Sequence, residues 1–120
     1  MAAEVTPEIR KVLGDHGLMI GKRIAAVFID PIVDLFAVPE RDAIILWTRT
    51  FYGRGITRNL YSYTLRGKRR WRVAGRGLAP NADRYHDVGL WDGEKLLAVS
   101  GTGLTVVELR TGRVLTPPPR

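Results

Sequence analysis

Residues 87–115, DVGLWDGEKLLAVSGTGLTVVELRTGRVL, leave the chain few folds to choose from. Short apolar runs are interrupted at near-even spacing by Asp92-Gly93, Gly101-Thr102-Gly103 and Thr111-Gly112. Asp-Gly between apolar runs is a strong hairpin signal, because a tight turn needs positive φ and glycine supplies it without steric cost. Three such breaks in succession predict an antiparallel meander of four strands.

The same plan is legible upstream. A buried lead-in strand is expected at 22–30, around the apolar run 24–29, and Asp30-Pro31 ends it. Residues 32–38, 43–50, 60–65 and 69–74 read as four further strands. They are separated by Pro39 with Glu40-Arg41-Asp42, by the polar loop 51–59, and by Arg66-Gly67-Lys68. Before them, Thr6 as N-cap, Pro7 at the first helical position and Gly14 as a stop predict a helix over 5–14. Val5, Ile9, Val12 and Leu13 would form its buried face, and residues 15–22 would be a loop. Gly21-Lys22 is no phosphate loop, since His16 and Arg23 stand where that motif needs Gly and Ser or Thr.

The chain also repeats itself. Leu60-Tyr61-Ser62-Tyr63-Thr64-Leu65-Arg66 aligns with Leu104-Thr105-Val106-Val107-Glu108-Leu109-Arg110, and each is followed by Gly and a cation. Ile44 to Trp47 matches Leu96 to Val99, and Val33 to Val38 matches Asp87 to Trp91. The expected organisation is a single all-β domain over 1–120. It has the N-terminal helix, the lead-in strand, a blade-like repeat at 32–74, a linker at 75–84, a second repeat at 85–116 and a Pro-rich tail at 117–120. These residues, from the apolar strand through the Gly-cation turn to the strand carrying Trp71, resemble the repeat of quinoprotein-type (PQQ-like) β-propellers over roughly residues 32–116. The resemblance implies four-stranded antiparallel blades around an axis. The first copy lacks the Thr before its Gly, the second lacks the Trp, and no quinone-binding residue carries over.

Two blades do not close a propeller. Their strands are apolar on both sides: Leu104 and Val106 oppose Val107 and Leu109, and Ile44 and Leu46 oppose Ile45 and Trp47. Such strands need cover on both faces. Self-association is the expected remedy, two chains giving four blades and three giving six. A two-sheet β-sandwich is the competing architecture.

Composition narrows function by exclusion. Cysteine is absent and there are only two histidines, so neither a metal site nor a cofactor is expected. No secretory signal or membrane span is legible, and a cytoplasmic location is the default reading. The net charge of +7 is concentrated: residues 49–76 hold nine of the nineteen cations and none of the twelve acids. Arg54, Arg58, Lys68, Arg69, Arg70, Arg72 and Arg76, interleaved with Phe51, Tyr52, Tyr61, Tyr63 and Trp71, are candidate nucleic-acid or polyanion contacts. The plainer reading is a solvated Arg-rich outer strand with Arg70 and Arg72 outward and Trp71 in the core. Trp47, Trp71 and Trp91 are expected in cores, His16 on the surface, and His86 and Asp87 on opposite faces of a strand. The reading is a non-enzymatic interaction scaffold that self-associates and presents loops to a protein partner. Polyanion binding is the alternative, and an enzyme comes third.

Overall fold

A computed structural model describes residues 7–49, 59–73, 85–100 and 103–115, and it is all-β. Among the described residues, ten strands form three antiparallel meanders. Sheet 1 contains β1 (Ile9–Val12), β2 (Gly17–Ile20) and β3 (Arg23–Val27). Sheet 2 contains β4 (Ile32–Val38), β5 (Ala43–Thr48), β6 (Leu60–Tyr63) and β7 (Arg69–Arg72). Sheet 3 contains β8 (Tyr85–Asp92), β9 (Lys95–Ser100) and β10 (Gly103–Glu108), with Val114 bridging to Val107 beyond it. None of the sheets closes on itself, and a single 3-10 turn, Pro39–Arg41, is the only helical element among the described residues.

The expected N-terminal helix is not there. Its described part is β1 and a tight turn into β2. Ile9 pairs with Ile20 and Lys11 with Leu18, while Arg10 and Val12 point the other way. Leu13, Gly14 and Asp15 take φ of 57°, 65° and 70°, so the Gly14 read as a helix stop lies inside a hairpin turn. A helix that short costs more to nucleate than it returns, whereas the hairpin carries Leu18 and Ile20 onto sheet 2. Residues 17–20, expected in a loop, are therefore a strand. The lead-in strand is the edge of this sheet and not a buried run, for Ile24, Val27 and Ile29 are exposed.

The sheets stack in chain order. Sheet 2 lies between the others and is covered on both faces. All six residues of β5 are buried. Ile44, Leu46, Tyr61 and Tyr63 meet Leu18 and Ile20 of sheet 1. Ala43, Ile45, Trp47, Leu60 and Trp71 meet Tyr85, Val88, Leu96, Ala98 and Val107 of sheet 3. Three sheets in a row differ from the two-sheet sandwich, and the second unit has three strands and a one-residue bridge where four strands were expected.

Sheets 2 and 3 share details of register. Trp47 pairs with Leu60 and Ile45 with Ser62; in sheet 3, Val99 pairs with Leu104 and Leu97 with Val106. Each first strand slips register at an aspartate, Asp34 in β4 and Asp87 in β8. The Oδ1 of each accepts the next backbone N–H, from Leu35 at 2.8 Å and from Val88 at 3.0 Å. Each aspartate thus accepts the backbone N–H that follows it beside the bulge.

Directional bonds fix the seam between sheets 2 and 3. The amide of Asn59, itself buried, donates to the Thr48 and Tyr85 carbonyls at 2.8 Å each, and its Oδ1 accepts the Tyr85 N–H at 2.9 Å. Trp47 donates to the His86 carbonyl at 3.0 Å and Trp71 to the Leu109 carbonyl at 2.8 Å. Gly112 lies against the Trp71 ring with φ of 75°, and a Cβ there would come within 2.5 Å of the indole. Gly112→Ala is expected to lower unfolding free energy by about 2–4 kcal/mol, from overpacking and a left-handed backbone together. Gly14→Ala, equally left-handed but in open space, should cost only about 1–2 kcal/mol. Urea denaturation of both variants checks this, and equal losses would contradict the Trp71 contact.

Candidate interaction surface

Cross-strand partners share a face, so the pairing identifies what each outer sheet shows to solvent. On sheet 3, Leu96, Ala98, Thr105 and Val107 turn toward sheet 2, leaving Leu97, Val99, Leu104 and Val106 on the outer face, where Val99 and Leu104 are exposed, Leu97 half-buried and Val106 buried. Leu104 is 57% exposed. Trp91 stands beside this row, 59% exposed, with the Lys95 ammonium 5.9 Å from its ring centre. The Trp91 expected in a core is therefore a surface residue, because its strand is the first of an outer sheet.

The outer face of sheet 1 is similar in character. Arg10 pairs with Met19, Val12 with Gly17, Ile24 with Met19 and Val27 with Gly17, all on the side away from sheet 2. Val27 is 64% and Ile24 45% exposed, and Leu13 at the hairpin turn is exposed too. The Arg10 guanidinium lies across this face, 3.4 Å from the Met19 sulfur. Apolar side chains are thus exposed at both ends of the stack, while β5 and β6 of its middle sheet are buried throughout.

The basic segment divides. Arg54, Arg58 and Arg76, with Phe51 and Tyr52, lie outside the described residues, as do linker 75–84 and tail 117–120. Lys68, Arg69, Arg70 and Arg72 are exposed on β7 and the turn before it. A bulge between Ser62 and Tyr63 breaks simple alternation here. Arg69 and Arg72 share a cleft of about 280 Å³ with Phe28, Asp30, Tyr61 and Tyr63, and Arg72 lies 5.1 Å from the Tyr61 ring centre. Arg70 goes elsewhere, to Asp42 Oδ2 at 3.4 Å and the Arg41 carbonyl at 3.3 Å. The four cations do not form one row.

The remaining candidates are structural. His16 is half-buried, not on the surface, and its Nδ1 lies 2.9 Å from the Phe28 carbonyl. His86 is exposed and lends its carbonyl to Trp47, while Asp87 accepts its neighbour's amide. Asp83 and Arg84, which precede them in the chain, lie outside the described residues. Asn59 is the residue that sequence reasoning missed, a polar side chain at a loop end with no motif to mark it. No described helix is long and apolar enough to cross a membrane.

Comparisons with protein-family models, with curated proteins and with solved structures found no match.

Burial pushes the phenols of Tyr61 and Tyr63 above their ordinary pKa, and the nearby Arg69 and Arg72 offset this only in part. The folded state then holds these protons longer than the unfolded chain does. Stability from the pair is fully present below about pH 10 and is lost as pH rises through the folded values. Urea midpoints should be flat from neutral pH to about pH 9.5 and fall above it. Tyr61→Phe with Tyr63→Phe should flatten that alkaline decline; an unchanged decline would rule out these phenols as its cause.

Proposed function

We propose that this chain is a non-enzymatic scaffold of propeller-like blades that self-associates through the outer faces of sheets 1 and 3 and presents its loops to a protein partner in the cytoplasm. One observation carries the reading: apolar residues are bare at both ends of a stack whose central sheet needs cover on both sides. Sheet faces of this kind favour association, since burying one Val, Leu or Trp is worth roughly 1.5–3 kcal/mol. The matching register of sheets 2 and 3 supports blades of one plan. Light scattering on the purified protein at micromolar concentration should give a mass above the 13.4 kDa of one chain. A mass of one chain across that range removes the association.

Polyanion binding is the second reading, favoured by the cleft in which Arg69 and Arg72 flank Tyr61 and Tyr63. Guanidinium groups at the mouth of the cleft would neutralise phosphate and release its counterions. A single-stranded oligonucleotide should then bind with an affinity that falls steeply with salt. Arg69→Glu with Arg72→Glu should abolish it. No binding at low salt, or binding that survives both reversals, excludes this site.

A further inference from the structure

We infer that the chain associates head to tail, the outer face of sheet 3 in one copy covering the outer face of sheet 1 in a second, so that two copies close into a ring of six sheets. This rests on the self-association proposed above and specifies which face meets which.

The molecule contains its own precedent for the contact. Each sheet has a face toward the sheet before it and a face toward the sheet after it. In sheet 2 the forward face is built on Ile45, Trp47, Leu60 and Ser62, and sheet 3 covers it. Through the shared register, the positions in sheet 3 that correspond are Leu97, Val99, Leu104 and Val106. Those four form the outer face of sheet 3. It is therefore a forward face without a successor. The outer face of sheet 1 is the reverse: its forward face already lies on sheet 2 through Leu18 and Ile20, so what it shows to solvent is a backward face without a predecessor.

A forward face fits a backward face in both junctions the chain forms internally. Forward against forward has no example in the molecule.

Copy number follows from closure. A head-to-tail contact closes a ring only if the accumulated rotation completes a turn, and otherwise it builds a filament. Rings of face-packed sheets close with about 4–8 sheets. Three sheets in one chain are too few and nine in three chains too many, whereas two chains supply six.

Complementation tests the pairing. One variant carries Ile24→Glu and Val27→Glu on sheet 1, the other Val99→Glu and Leu104→Glu on sheet 3. Wild type should sediment as two chains and each variant alone as one chain, because every interface in its dimer is damaged. An equimolar mixture should recover a two-chain species, since one of its two interfaces is then wild type on both sides. If either variant alone stays dimeric, or the mixture stays monomeric, or wild type forms open filaments, the head-to-tail ring is overturned while self-association stands. A monomeric wild type overturns both.

Because the chain has no cysteine, a milder pair of substitutions guards against misfolding. Val27→Cys with Leu104→Cys in one chain should be linked into covalent dimers by a short bismaleimide. Neither substitution alone should be. Efficient linkage of one single variant would point to like faces meeting and would overturn the ring.

Discussion

The strand Ala43–Thr48 has no polar face to offer water, and the rest of the fold follows from that. A strand alternates its side chains between two faces, so burying all six demands a layer on each side. Sheet 1 supplies one layer and sheet 3 the other. Most of the cohesion must come from these two apolar contacts. Each fully buried large side chain contributes roughly 1.5–3 kcal/mol. The ion pairs among the described residues, Arg10 with Glu8, Lys11 with Asp15, Arg41 with Glu94 and Arg70 with Asp42, are solvated, and such pairs are worth about 0–1 kcal/mol.

Apolar contact decides that the sheets stack but not at what angle or offset. The polar atoms do that. Asn59 satisfies both backbone groups of Tyr85 across the seam and the carbonyl of Thr48 on its own side. Sliding sheet 3 by one residue would strand all of these groups in a dry interior, at about 1–3 kcal/mol each. Trp47 and Trp71 add a second kind of restraint, with rings that fill the interface and N–H groups that each need one carbonyl. On the other side Arg23 reaches the Arg66 carbonyl and Lys11 the Val33 carbonyl at 3.3 Å, both from exposed side chains. A backbone bond, from the N–H of the buried Ile32 to the Asp15 carbonyl at 2.7 Å, joins these two sheets as well.

What could be read from sequence divides along the same physical line. Strands 32–38 and 43–48 are legible because Pro39 and Asp42 punctuate two apolar runs, and β8 to β10 because Asp92-Gly93 and the glycines after Ser100 do the same. Local turn chemistry is written in adjacent residues. The N-terminal sheet misleads because Pro7 and Gly14 fit helix ends as well as a strand entrance and a hairpin, and four apolar residues in nine fit either period. Only the presence of sheet 2 decides between them. Trp91 fails for a related reason. The pair Leu90-Trp91 in β8 looks like Leu46-Trp47 in β5, but nothing in the sequence says which sheet of a stack is last. Asn59 and His16 are invisible in kind, since their partners lie 26 and 12 residues away.

The exposed faces of sheets 1 and 3 are the same property seen at the ends of the stack. A sheet plan that buries both faces leaves one uncovered wherever the stack stops. Native-state hydrogen exchange on β5 tests most directly whether two-sided burial governs the fold. If it does, the amides of 43–48 exchange only through global unfolding and share one free energy, the highest in the chain, with β1 and β10 exchanging through smaller openings. Amides of β5 that open locally, as readily as those of β10, would contradict it.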